Sequence, residues 1–155
     1  MYTATFLGRC RRGEGEPRVR IREDVRAFLD EVRFGVLATV NTDGSPQQTV
    51  MWYEVRGETV VMNTLRGRSK DRNLRRDPRA SLCVEDGQRY VALSGSIAFV
   101  DDAKIGQADI AALARRYEGE AAAAEMVKST FSKQHRVSLI LQIDGIDAHG
   151  FDGEG

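Results

Sequence analysis

A run of short β-forming segments separated by turn chemistry limits the fold of this chain more than any other feature. Residues 34–40 are apolar and rich in β-formers, and Asn41-Thr42-Asp43-Gly44-Ser45 supplies the turn that returns the chain into residues 46–55. A second turn at Arg56-Gly57-Glu58 leads into residues 59–64, where Val60, Val61 and Met62 continue the pattern. This segment therefore reads as a meander of three consecutive antiparallel strands. Residues 80–85 and 89–100 make another pair around Asp86-Gly87, with Gly95 expected at a bulge or bend, and residues 137–143 return to strand. The count is about six strands. Closing them into a barrel removes the unpaired edges, so the expected class is mainly β, an antiparallel β-barrel with helical decorations.

The decorations are read from the apolar spacing. Ile21, Val25, Phe28, Leu29 and Val32 recur at helical intervals, giving an amphipathic helix that ends near Arg33 and caps the barrel. Residues 69–77 form a short helix with Ser69 as its N-cap, Leu74 as its apolar anchor and Pro78 as its stop. Residues 102–131 read as two helices divided at Glu118-Gly119-Glu120. A chain of 155 residues supports one hydrophobic core. We expect a single domain over residues 21–151, a flexible arm over residues 1–20 and a tail over residues 152–155.

Composition narrows the function. The formal net charge is zero, which argues against a general binder of nucleic acid or membrane surfaces, so any electropositive site has to be local. Cys10 and Cys83 are far apart and belong to no metal-ligand spacing, which points to a reducing cytoplasm. Cys83, inside an apolar run, reads as a small core residue. No apolar segment follows Arg9, Arg11 and Arg12, so a secretory signal is not expected. His135 and His149 stand without a neighbouring Cys or Ser motif, and the carboxylates are scattered. Covalent hydrolysis is disfavoured, whereas chemistry carried by a cofactor needs no such grouping.

The densest chemical signal is Asn63-Thr64-Leu65-Arg66-Gly67-Arg68-Ser69-Lys70-Asp71-Arg72-Asn73-Leu74-Arg75-Arg76, with six cations against one acid. Thr64 ends a strand, Arg66 and Arg68 lie in a loop, and Ser69 opens a helix whose first N–H groups favour an anion. Lys70 in the first turn opposes the helix dipole, which is better explained by an anion held beside it than by helix stability. A solvated basic face is the competing reading, and it suits Arg72, Arg75 and Arg76, since Arg75 can pair with Asp71 at four-residue spacing. No aromatic residue lies between Tyr53 and Tyr90 to stack on bases, which disfavours nucleic acid. In the strand Pro46-Gln47-Gln48-Thr49-Val50-Met51-Trp52-Tyr53, period-two alternation puts Gln48, Val50 and Trp52 on one face. That face could line a flat pocket, although a lone tryptophan such as Trp52 more often serves a core or a dimer interface than a cofactor contact.

The motifs Phe34-Gly35-Val36-Leu37-Ala38-Thr39-Val40-Asn41, Asp43-Gly44-Ser45-Pro46, Asn63-Thr64, Arg68-Ser69-Lys70 and Asn73-Leu74-Arg75-Arg76-Asp77-Pro78-Arg79, in this order, carry a family resemblance. The chain resembles the pyridoxamine 5′-phosphate oxidase-like split β-barrel superfamily, and within it the flavin/deazaflavin oxidoreductases that use coenzyme F420. The resemblance implies an FMN-binding-like split barrel and a homodimer with cofactor sites at the subunit interface. It places Gln48, Thr49, Val50 and Met51 at the edge of the cofactor ring, with Trp52 in the neighbouring substrate pocket. Asn63, Thr64, Arg68, Ser69, Lys70 and Asn73 then surround the phosphate, and Arg66 and Arg72 reach the acidic tail of a deazaflavin. The implied activity is hydride transfer from coenzyme F420 to an unsaturated organic substrate. The alternatives are an FMN-dependent enzyme of the pyridoxamine phosphate oxidase type and a flavin- or haem-binding module without turnover, in which His135 or His149 would ligate iron.

Overall fold

The computed structural model describes residues 19–152, so the expected arm up to residue 18 and the tail beyond Asp152 lie outside the described residues. In chain order the elements are α1 (Glu23–Asp30), β1 (Gly35–Val40), β2 (Pro46–Met51), β3 (Glu54–Arg56), β4 (Thr59–Leu65), α2 (Ser69–Arg76), β5 (Arg79–Glu85), β6 (Tyr90–Val100), α3 (Ala103–Glu118), α4 (Glu120–Ser129), a 3-10 turn (Phe131–Lys133) and β7 (Arg136–His149). Seven strands, one more than expected, hydrogen-bond in the order β2-β1-β5-β6-β7-β4-β3, and every pairing is antiparallel. The two end strands, β2 and β3, are joined by Trp52 and Tyr53 alone. So short a link brings the ends of the sheet together, and because they do not hydrogen-bond to each other the barrel is split there.

The extra strand corrects the three-strand meander. Residues 46–55 do not form one strand. β2 pairs with β1 and β3 pairs with β4, so the second and third expected strands are not neighbours. The break has a physical cause in a distant side chain. The Tyr117 hydroxyl accepts the Tyr53 N–H at 3.1 Å and donates to the Arg33 carbonyl at 2.6 Å, satisfying backbone groups that leave the ladder here. The Tyr53 ring turns inward, fully buried, and its own hydroxyl donates to the Leu29 carbonyl at 2.9 Å.

Inside the barrel Leu37, Met62, Leu82, Leu93, Leu139 and Leu141 are fully enclosed, and Val25, Phe28 and Leu29 of α1 close one end, as the amphipathic spacing predicts. β6 and β7 slip register at Ser94/Gly95, the expected bulge, where a Cβ on Gly95 would stand 1.9 Å from the Gln142 carbonyl oxygen. β7 runs well beyond residues 137–143 because β6 is long enough to pair with it as far as His149. The two late helices divide at Gly119, whose φ of +86° suits glycine. α3 packs on β4 and β7, burying Val61, Asn63 and Ser138 on the outer surface of the barrel. The outer face of β1 and β2 is open: Val36 and Val50 stay exposed, and Phe34, also exposed, stacks its ring on Tyr117 of α3 at 5.7 Å. Cys83, opposite Val36 in register, is only half-buried on this open face rather than a core residue. Among the described residues, no helix is long and apolar enough to cross a membrane.

Candidate anion-binding site

Between β4 and α2 the chain turns through Gly67, with φ at +86°, and the Asp71 carboxylate accepts the Gly67 N–H at 2.8 Å. Arg68, in extended conformation, is the N-cap, and Ser69 is the first helical residue rather than the cap. Because Arg68 has no side-chain oxygen to offer, no side chain caps this end, and the amides of the first turn are left without an intrahelical acceptor.

The six cations of this segment separate by partner. Arg66 pairs with Asp101 at 2.9 Å and approaches Asp71 at 3.7 Å. Arg75 pairs with Asp71 at 2.9 Å and Asp101 at 2.7 Å while lying over the Phe99 ring. Arg72 donates to the Gly67 carbonyl at 2.5 Å, and Arg76 donates to the Thr42 hydroxyl at 3.1 Å and to the Val40 carbonyl. Arg68 and Lys70 have no carboxylate partner among the described residues. Partial burial lowers the proton affinity of Lys70, and the nearby Arg68 and Arg136 lower it further.

Arg136 is the site residue that the sequence reading missed. It opens β7 directly opposite Leu65, so strand register carries it to the start of the basic loop, where the Arg66 N–H also bonds the His135 carbonyl at 2.9 Å. Its Nε donates to Asn63 Oδ1 at 2.8 Å, its Nη1 donates to Gln134 Oε1 at 3.0 Å, and its guanidinium lies over the Phe131 ring. All these partners are neutral. Asp109, a buried acid of α3, is occupied by Arg56 at 2.6 Å and by the Ser138 hydroxyl at 2.6 Å. Burial, and secondarily Arg68, pull the Arg136 pKa down to about 10.

Across the loop, α2 is clamped to the β1–β2 hairpin. Asn73 Nδ2 donates to Thr39 Oγ1 at 3.2 Å and Asn41 Oδ1 at 3.0 Å, and Thr39 donates to Gln47 Oε1 at 2.9 Å. An open cavity of about 500 Å³ lies here, lined by Asn41, Thr42, Asp43, Ser69, Arg72, Asn73 and Arg76. Ser69 and Asn73 thus face a concave surface that Arg68, Lys70 and Arg136 do not line, and Thr64 is buried near the end of β4. β2 divides the four ring-edge candidates between its faces: Gln48 and Val50 point outward, while Thr49 and Met51 point inward, with Thr49 Oγ1 accepting from Gln47 at 2.9 Å. Trp52 stacks on Tyr117 at 5.3 Å and packs beneath α3 and α4 against Ile110, Ala114 and Ala123. His135 and His149 sit at opposite ends of β7, too far apart to share one ion.

Seven antiparallel strands rolled into a split barrel, with helices on one outer face, define the split β-barrel class of FMN-binding-like folds. A family model described as pyridoxamine 5′-phosphate oxidase matches residues 21–149, and the chain belongs to that family. Among solved structures it is similar to the conserved hypothetical protein Rv2991 of Mycobacterium tuberculosis, at 28% identity and a TM-score of 0.71 over 88% of this chain and 89% of that one. It is similar at 26% identity to a structure described as an F420 reductase, with a TM-score of 0.67 over 82% of this chain and 98% of that one. HutZ, described as a heme storage protein of Vibrio cholerae, shares the fold at 20% identity and a TM-score of 0.66, over 88% of this chain and 100% of that one.

Proposed function

We propose that this protein is an oxidoreductase that binds coenzyme F420 and uses it to reduce an unsaturated organic substrate. The observation that carries this reading is the pair Arg68 and Lys70, neither with a carboxylate partner among the described residues, beside the uncapped amides of α2. A half-buried lysine that gains nothing from a carboxylate costs stability until an anion arrives. A phosphate meets that need, with Ser69 and the first-turn amides donating to its oxygens. When bound, the reduced deazaflavin supplies a hydride. The chain contributes position: Arg68 and Lys70 fix the phosphate end, and the outward face of β2 offers Gln48 and Val50 to the ring. FMN carries a phosphate of the same chemistry and is the alternative cofactor.

The open face of β1 and β2 fits a second copy of this chain. Val36 and Val50 are direct register partners, and Val50 is 62% exposed, an apolar surface that the same face of a second copy would cover. A homodimer through this face covers Val50 and screens the ring end of the site from solvent.

The test is to mix the purified protein separately with coenzyme F420, FMN and haem, following absorbance and fluorescence. Saturable deazaflavin binding, followed by turnover with conjugated enones or similar acceptors, is expected. Tight binding of haem alone would overturn the oxidoreductase reading.

A further inference from the structure

The relation between Arg136 and the basic loop has a consequence for the ligand. A guanidinium has five N–H donors, and Asn63 takes the Nε donor while Gln134 takes one of the two on Nη1. One hydrogen on Nη1 and both on Nη2 remain, so the terminal edge of the fork keeps a donor on each nitrogen. Phe131 and Asn63 hold the group in a fixed plane. Asn63 also donates to the Gly106 carbonyl at 3.0 Å, so its own position is set by α3. Arg136, opposite Leu65 in register, Lys70 and Arg68 lie near one another, and none of the three has a carboxylate partner among the described residues. Arg68 is exposed, but Lys70 and Arg136 are half-buried, and like charges partly withdrawn from water are stabilised when an anion is bound.

We propose that Arg136 is the third arm of the anion cradle formed with Arg68 and Lys70, and that Asn63 is a positioning residue that aims its guanidinium. The charge count specifies the ligand: a phosphate group with a second negative charge on it or directly beside it. A phosphomonoester supplies both charges itself, and a phosphodiester followed by a carboxylate supplies one of each. The assignment rests on the cofactor reading for the identity of the ligand, while the anion site stands without it.

The experiment measures binding of inorganic phosphate at pH 8, against chloride at matched ionic strength, by thermal shift and calorimetry on the whole protein and on Arg136→Met and Arg136→Lys. Arg136→Met is expected to weaken phosphate binding by about tenfold or more, the usual effect of losing a charge-assisted hydrogen bond. Its ligand-free melting temperature combines two opposed effects, relief of one crowded cation and loss of the bonds to Asn63 and Gln134, so phosphate affinity is the deciding readout. Arg136→Lys should retain an intermediate affinity. Unchanged phosphate affinity in Arg136→Met overturns the assignment. So does a lowered melting temperature with the phosphate response intact, or an unfolded Arg136→Met beside an Arg136→Lys that binds as the parent does. Titration with FMN and coenzyme F420 separates the two proposals. Arg136-dependent phosphate binding without either cofactor would sink the cofactor reading alone, and full cofactor affinity in Arg136→Met would sink the Arg136 assignment alone.

Discussion

Lys70 and Arg75 stand on one short helix with like charges and opposite circumstances. Arg75 has two carboxylates and an aromatic ring, whereas Lys70 has none of these and sits beside two other cations. Lys70→Met should therefore cut the affinity for a phosphate-bearing cofactor by about tenfold or more while leaving the ligand-free unfolding midpoint level or higher, measured by fluorescence titration and thermal melting. The division was partly legible in the sequence: four-residue spacing paired Arg75 with Asp71, and the helix start singled out Arg68, Ser69 and Lys70. Arg66, proposed for the acidic tail, engages Asp101, a partner that the local sequence did not offer. Arg136 was illegible because only the register of β7 on β4 brings it to the loop.

A second prediction at this scale concerns pH. Burial raises the Tyr53 phenol above its ordinary pKa near 10, with the nearby Tyr117 adding to the shift. A group whose pKa is raised by folding contributes stability that is intact below its unfolded value and drains away as the pH climbs towards the folded one. Denaturant titrations should show stability falling above about pH 10, with a shallower fall in Tyr53→Phe. At neutral pH that variant should lose about 1 kcal/mol with its bond to the Leu29 carbonyl.

Among the elements, α3 connects the site to the barrel. Its Gly106 lies so close to β7 that a Cβ would stand 2.2 Å from the Arg136 carbonyl oxygen. Gly106→Ala should destabilise the fold by about 1–3 kcal/mol in chemical denaturation, despite the better helix propensity of alanine, since helix and strand must separate. It should also weaken phosphate binding, because the Gly106 carbonyl orients Asn63. Turn chemistry and apolar spacing announced most elements: α1, the β1–β2 hairpin, the Gly95 bulge and the break at Gly119. The split of residues 46–55 was hidden. Trp52 and Tyr53 have strong β propensity, and the hydroxyl that draws Tyr53 out of the ladder belongs to Tyr117.

At the scale of the whole molecule, the two outer faces of the barrel differ in their cover. One lies under α3, and the other shows Val36 and Val50 to solvent. If a second copy covers the open face, Val50→Glu buries a charge at the contact and should convert a dimer into monomers in sedimentation equilibrium, with the circular dichroism spectrum unchanged. A parent protein that sediments as a monomer would remove the dimer from the account. The family pattern carried this expectation; alternation along β2 put Val50 on one face with Gln48, and the packed chain turns that face outward. The exposure of the face depends on which strands α3 covers, and that is a property of the packed chain.

In the proposed function, the Arg68, Ser69 and Lys70 cradle holds the phosphate of the cofactor. The most direct measurement compares two ligands on two proteins: coenzyme F420 and the corresponding deazaflavin riboside without phosphate, each titrated into the parent protein and into Lys70→Met by fluorescence. The parent should bind the phosphorylated ligand about tenfold or more tightly than the riboside, and Lys70→Met should close most of this gap. Equal affinity of the parent for both ligands, or a gap that survives in Lys70→Met, would contradict that role of the cradle.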